Sequence, residues 1–357
     1  MRIGIVGGQN SGKTTIFNAL TRSKAATAGY SSGQVEIHTA VVDVPDSRLD
    51  RLAEIFAPRP AVYAQVTFSD IAGMTEGIGK EGSIQGPLLN AIALNDALLL
   101  VARSFSNPAV PHPRDRVDPA ADLDAIETEF LLNDMVTIEN RLERIAAQRS
   151  RALLEERQRM AREELLLERL YPVLEEGTPL RKAVVSADEA KMLAGFGFLS
   201  LLPLLRVVNA GDDDDESQYE HLLDSETFFL RGRLEADIAL MPPQEAAEFL
   251  AEFGIAEPGL DRAIRRCYTL LGLISFFTVG DNEVRSWAVT AGSAAPAAAG
   301  VVHTDMERGF IRAETVHFED LVSSGSMAEA RKRGLLRLEG KDYQVRDGDI
   351  LQFRFRV

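Results

Sequence analysis

The stretch IGIVGGQNSGKTTIFNAL, Ile3 to Leu20, limits the fold more than any other part of the chain. A short apolar run, Ile3 to Val6, reads as a buried parallel strand. Gly7, four intervening residues, Gly12, Lys13 and Thr14 follow, and Ile16, Phe17 and Leu20 continue at helical spacing. Strand, glycine-rich loop and helix in that order form a phosphate-binding loop. Glycines let backbone N–H groups curl around a phosphate, and the helix N-terminus adds its positive end. In this reading Gly7, Asn10, Ser11, Gly12, Lys13, Thr14 and Thr15 bind nucleotide. Lys13 reaches the β- and γ-phosphates as a catalytic group, and the Thr14 hydroxyl ligates Mg²⁺.

A second element narrows the class. In VYAQVTFSDIAGMTEG an alternating strand ends at Asp70-Ile71-Ala72-Gly73. An aspartate at a strand's C-terminal end can hold Mg²⁺ through water, and the Gly73 N–H can report the γ-phosphate. This favours a switch NTPase over a small-molecule kinase. Ras-like GTPases carry a water-orienting glutamine at the next position. Here it is Met74, whose thioether cannot do that work. Gly77, Gly79, Gly82 and Gly86 suit a switch segment or an ordinary surface loop equally well.

The remainder of the chain sets outer limits. Its 357 residues allow two or three compact units. A net charge of −15 argues against wrapping duplex DNA. With the single cysteine, Cys267, no disulfide framework is available, and an inert thiol on a helix is expected. Apolar runs such as Ala91 to Ala102 are too short to span a bilayer, and the N-terminus opens directly into a strand, so a cytoplasmic protein is expected.

With these residues in view the chain resembles the YchF subfamily of Obg-like P-loop ATPases and GTPases. The likeness extends through DIAG, VDPAADLDAIETEFLLNDMVTIENRLERI, EAAEFLAEFGIAEPGLDRAIRRCYTLLGLISFFTVG, HTDMERGFIRAE and LEGKDYQVRDGDILQFRFRV. It implies an α/β fold: a Ras-like P-loop G domain over residues 1–124 and 200–274, an inserted α-helical coiled coil over 125–199, and a C-terminal TGS domain of β-grasp type over 275–357. The residues support each part. Leu131, Met135, Ile138, Leu142 and Ile145 form a heptad seam, and Ala161 to Leu165 lie in a second helical stretch. VRSWAVT, Phe310 to Val316 and DILQFRFRV read as strands, with MAEARKRG as a helix between them.

The resemblance also supplies candidate roles. Family members bring a histidine from a mobile loop in place of the missing glutamine, and the matching residue is His112 in AVPHPRD; a merely solvated loop histidine is the competing reading. Gln34 falls where relatives place a Mg²⁺-ligating threonine, and Gly33 where relatives often carry a redox-linked cysteine. Asn10 matches a position at which some relatives bind a monovalent cation, which makes K⁺ a candidate beside the expected Mg²⁺; an asparagine simply suited to a tight loop is the competing reading. Asn209-Ala210-Gly211-Asp212 stands at the base-reading N-K-x-D position, with the lysine stem removed at Ala210. Relatives usually have glutamate where this chain has Asp212; the resemblance favours ATP, while the aspartate keeps GTP open. The acidic run Asp213 to Glu216 reads as solvated surface.

Similar proteins associate with ribosomes, which makes the helical insert and the TGS domain ribosome- or RNA-facing. Arg141, Arg144, Arg149, Arg151, Arg157, Arg159 and Arg162 fit that role or a solvated helix face about equally. The expected activity is slow ATP hydrolysis coupled to a switch. The alternative is a nucleotide-dependent adaptor with little hydrolysis, favoured by Gln34 and Met74.

Overall fold

The computed structural model describes residues 1–21, 37–57, 59–71, 86–253, 255, 257–280 and 282–356. The first part of the chain runs β1 (Arg2–Gly7), α1 (Lys13–Thr21), β2 (Ile37–Asp43), α2 (Ser47–Ile55), β3 (Ala61–Val62), β4 (Gln65–Ile71), α3 (Gly86–Ala93) and β5 (Ala97–Arg103). Helices α4 (Pro119–Gln148), α5 (Leu154–Glu175) and α6 (Ala187–Leu193) follow, then β6 (Leu204–Asn209), β7 (Thr227–Leu230), α7 (Gly232–Leu240) and α8 (Pro243–Glu252). The last part comprises α9 (Gly259–Leu270), β8 (Leu273–Val279), β9 (Val284–Thr290), α10 (Ala295–Val302), α11 (Thr304–Arg308), β10 (Phe310–His317), α12 (Phe318–Ser324), α13 (Met327–Lys332), β11 (Arg337–Glu339) and β12 (Asp349–Phe355).

Two compact units divide the chain: residues 1–40 with 67–260, and 41–66 with 261–357. The first contains a sheet in the order β2-β4-β1-β5-β6-β7. β1 pairs in parallel with β4 on one side and β5 on the other, and β5, β6 and β7 continue in parallel. Chain order therefore reverses at β1, and a ligand crevice opens at the C-terminal ends of strands flanking such a reversal. Every residue of β5 is buried, as a central strand covered on both faces requires.

α4 serves two cores. Leu123, Ile126 and Phe130 pack with Val6, Leu98 and Leu100 of the sheet, whereas Ile138, with Leu131, Met135 and Leu142, packs on Leu166, Leu167, Leu170 and Leu174 of α5. The heptad seam expected from the sequence is thus the α4–α5 contact. Asp118 caps the helix by accepting from Ala121 N, and Pro119 sits in the first turn, where its missing N–H costs nothing. Because α4 is unbroken, the expected boundary between residues 124 and 125 falls inside one helix.

The second unit contains the sheet β11-β10-β12-β8-β9-β3. Strands β9, β10 and β12 and helix α13 lie where the sequence pattern expects them. Sequence reading puts residues 41–66 in the nucleotide domain, but they fold into this unit. β3 pairs in parallel with β9, and Leu49 and Leu52 of α2 are buried with Phe277, Val284, Val316, Leu321 and Ile350. Arg48 completes the attachment. It hydrogen-bonds both carboxylate oxygens of Asp347, at 2.6 and 3.2 Å, and those of Asp46, and lies 5.3 Å from the Phe277 ring centroid.

Cys267 on α9 is fully buried, and burial pushes its thiol up to about 12, so it is an unreactive core residue as expected. Among the described residues, no helix is long and apolar enough to cross a membrane.

Candidate nucleotide site

The C-terminal end of β1 turns at Gly7, where any Cβ would lie 2.4 Å from the Val101 carbonyl oxygen. Asn10 takes the left-handed conformation at φ 62°, and Gly12 has φ 92°. A Cβ on Gly12 would sit 2.1 Å from Asn209 Nδ2, so this position needs glycine for backbone conformation and for space. α1 then starts at Lys13, as the strand-loop-helix pattern requires.

Lys13 is 6% exposed, and its ammonium donates to the Gly8 carbonyl at 2.7 Å. Burial pushes its pKa down to about 8, with the nearby Asp70 charge opposing the shift. Asp70 is 5% exposed and close to the end of β4. Burial raises its pKa against a hydrogen bond from Thr14 and the charge of Lys13. Thr14 Oγ1 donates to Asp70 Oδ2 at 2.8 Å, while Asp70 Oδ1 is buried with no hydrogen-bond partner among the described residues, as is Ser11 Oγ. A hydroxyl and a carboxylate with one oxygen unused form a hard oxygen donor set that fits Mg²⁺. The site is therefore compatible with the ion, which would be held by Thr14 and Asp70 and would neutralise phosphate charge.

Asn209 ends β6 and links three loops. Its Nδ2 donates to the Ser11 carbonyl at 2.9 Å, and its Oδ1 accepts from Gly232 N at 3.0 Å. The asparagine thus braces the phosphate loop. Ala210 is 3% exposed, and its N–H donates to the Leu230 carbonyl. Asp212 remains accessible, with Oδ2 3.7 Å from Arg233 Nε.

The acidic run that follows is less uniform than expected. Asp214 is partly buried and shapes the loop: its Oδ2 accepts from Gly211 N at 2.8 Å and Tyr219 Oη at 3.1 Å, and its carbonyl accepts two bonds from the Arg231 guanidinium. Asp215 caps the short 3₁₀ helix Glu216–Leu222. Only Asp213 and Glu216 fit the expectation of simple solvated surface.

His112 lies in the irregular stretch between β5 and α4. Its side chain is 8% exposed and is not a solvated loop histidine. Nε2 lies 2.9 Å from Asp122 Oδ2 on α4, and Nδ1 accepts from Arg114 N at 3.2 Å. The loop touches the phosphate loop through Asn10, whose Nδ2 donates to the Pro111 carbonyl at 3.2 Å. Sequence reading gives no role to Arg103, yet this residue is 2% exposed and organises the same loop. It donates to the carbonyls of Phe105 at 2.9 Å and Val110 at 2.8 Å. The available signal was an arginine closing an otherwise apolar strand, ALLLVAR. Gln34, Gly73 and Met74, together with Gly33, lie outside the described residues.

The arginine row on the helical hairpin is partly satisfied internally. Arg141 pairs with Glu163, Arg149 with Glu164 at 2.8 Å, and Arg157 with the carbonyls of Ala152 and Ser150.

Comparisons with known proteins agree with this architecture. A family model described as a 50S ribosome-binding GTPase matches residues 2–150, and the YchF-GTPase C-terminal family, described as a protein of unknown function, matches residues 273–356. The Ribosome-binding ATPase YchF of Bacillus subtilis is 38% identical over 99% of both chains, and that of Haemophilus ducreyi 39% over 100% of this chain and 99% of its own. The solved structure of the Schizosaccharomyces pombe YchF GTPase superposes with a TM-score of 0.85 at 31% identity, covering 99% of this chain and 97% of its own. With a phosphate loop, an Asp70–Thr14 pair and full-length relatives of this similarity, the chain belongs to the YchF family of P-loop NTPases.

Proposed function

We propose that the protein hydrolyses ATP with Mg²⁺, accepts GTP less well, and uses the slow cycle as a switch on the ribosome in the cytoplasm. The observation that carries this reading is the desolvated Lys13 beside Asp70, whose second oxygen has no partner. Both groups are costly to bury and gain when a metal-bound polyphosphate arrives. Thr14 and Asp70 hold Mg²⁺, Lys13 neutralises the β- and γ-phosphates, and the loop from Gly7 to Thr15 encloses the phosphates with backbone N–H groups. Mg²⁺ supplies charge stabilisation for the transferring phosphoryl group. In this reading the Gln34 amide oxygen is a further Mg²⁺ ligand and the Gly73 N–H senses the γ-phosphate.

His112 orients the attacking water in place of the absent glutamine. Water adds to the γ-phosphorus as the bond to the ADP oxygen breaks, releasing ADP and phosphate. Asn10 offers an amide oxygen to K⁺ beside the phosphates. At the base, Ala210 provides no lysine stem to stack on guanine, which favours ATP, and Asp212 remains an acceptor that guanine could use. The bacterial relatives are named ribosome-binding ATPases, and the fission-yeast structure a GTPase.

The ribosome- or RNA-facing surfaces in this reading are the α4–α5 hairpin and the C-terminal unit, where Arg312 and Arg354 stand directly opposite on β10 and β12. The Arg354 guanidinium is paired with Glu314 on β10, which also pairs with Arg331 at 3.2 Å.

Single-turnover hydrolysis of ATP and GTP, side by side, tests the proposal. Wild type is expected to convert ATP faster than GTP, and His112→Ala to slow ATP conversion about a hundredfold with binding intact. Asp212→Ala should weaken GTP alone. Triphosphate left intact over hours by wild type would favour the adaptor reading, and a wild-type preference for GTP would overturn the assignment of the base.

A further inference from the structure

The hydrogen bonds around His112 define the chemical state of its ring. Arg114 N–H can only donate, so His112 Nδ1 must present its lone pair to it at 3.2 Å. Nε2 therefore carries the proton and donates to the Asp122 carboxylate at 2.9 Å. Both ring nitrogens are occupied, and a ring in this state has neither a lone pair nor an N–H to offer a water molecule.

The surrounding contacts make this a built arrangement. Asp122 lies in the first turn of α4, behind the Asp118 cap, and its Oδ1 is 3.5 Å from Arg114 Nη1. On the other side of His112, Asn10 holds the Pro111 carbonyl, and the buried Arg103 guanidinium holds the Phe105 and Val110 carbonyls. The loop is fixed against both the phosphate loop and the base of α4, and His112 lies between the two attachments.

We infer that Asp122 is a positioning residue that stores His112 turned away from the reacting phosphate, and that release of the His112–Asp122 contact limits hydrolysis. The inference rests on the proposed role of His112. It makes slow turnover a property of one carboxylate on a neighbouring helix, separate from the absence of glutamine at position 74. Because Asn10, itself part of the phosphate loop, donates its amide to the peptide carbonyl preceding His112, filling the phosphate loop is coupled to the stored state.

The test combines single-turnover ATP hydrolysis, ATP affinity by fluorescence titration, and ring ¹⁵N NMR of the histidines in the full chain. Asp122→Ala is expected to raise the hydrolysis rate about three- to tenfold by enlarging the fraction of released His112, with ATP affinity unchanged. Asp122→Asn, which keeps an acceptor without the charge, should fall between. The double variant Asp122→Ala/His112→Ala should be as slow as His112→Ala alone. A purely structural role for Asp122 could lower the rate but not raise it. Equal or slower hydrolysis by Asp122→Ala, with His112→Ala strongly impaired, overturns the storage role and leaves the role of His112 standing. A wild-type rate in His112→Ala overturns both.

The NMR arm does not depend on any variant at Asp122 folding. In the nucleotide-free wild type, the resonance lost in His112→Ala should report a neutral ring protonated at Nε2. A ring protonated at Nδ1 overturns the inference.

Discussion

Two buried aspartates in the same unit, Asp70 and Asp134, show how burial can serve opposite ends. Both have their pKa raised by burial, against hydrogen bonds that favour the charged form. Asp134, on the buried side of α4, is fully used: Oδ1 accepts from Leu199 N at 2.9 Å and Oδ2 from Ser200 N at 2.8 Å, which fixes the return of the chain from the helical insert to β6. Asp70 has one oxygen engaged by Thr14 and the other unpartnered. The first carboxylate completes a fold. The second is satisfied only when something else arrives, which is the signature of a site.

The comparison can be broken at either end. Asp70→Asn should reduce ATP turnover about a hundred- to a thousandfold, because a neutral amide is a poor Mg²⁺ ligand. Its far-UV circular dichroism should match wild type, and steady-state kinetics across a Mg²⁺ titration should show the loss. Asp134→Asn should do the reverse. The amide nitrogen would face a backbone N–H, costing about 2–3 kcal/mol of stability by urea unfolding, with hydrolysis per folded molecule preserved. If Asp134→Asn lost activity without losing stability, the contrast between the two carboxylates would fail.

Asn209 lies between these extremes, since its bonds to Ser11 and Gly232 are structural contacts inside the site. Asn209→Ala should weaken ATP and GTP equally, about tenfold each, in parallel binding titrations. A selective loss of GTP would show that Asn209 reads the base.

The smallest effect is expected for Asp347 in the second unit. Burial pushes its carboxyl up, but hydrogen bonds from Arg48 and Ser275 outweigh this and hold it below the usual range. A depressed carboxylate contributes stability above its unfolded pKa, and that contribution disappears as pH falls through the folded value, here below roughly pH 4. The pair is partly exposed, so solvent limits the contribution to about 1 kcal/mol. Urea midpoints between pH 2 and pH 6 should decline less steeply in Arg48→Ala than in wild type.

Much of this was legible in the sequence where a residue type has few physical uses. Glycine at 7 and 12 beside lysine at 13, aspartate closing an alternating strand, and asparagine ending an apolar one each imply a backbone geometry, and the geometry is present. Residues 41–66 were not legible as part of the second unit. β3 has two residues, too few for a periodic signal, and the amphipathic α2 would suit either core. Asp134 and Asp122 were hidden for a different reason. An acidic residue on a long, charged helix looks like solvated surface until its partner from a distant part of the chain is known. The same holds for Asp214, whose role depends on Gly211, Tyr219 and Arg231 rather than on the acidic run around it.

The continuity of α4 has a mechanical consequence. Its thirty residues form a rod about 45 Å long at the usual rise per residue. One end carries Asp118 and Asp122 beside the His112 loop, and the other ends in the helical hairpin. A rod of that length amplifies: a tilt of about 5° at its first turn carries the far tip through about 4 Å. On the proposed release of His112 from Asp122, a tilt of that size would displace the hairpin tip by the width of a side chain.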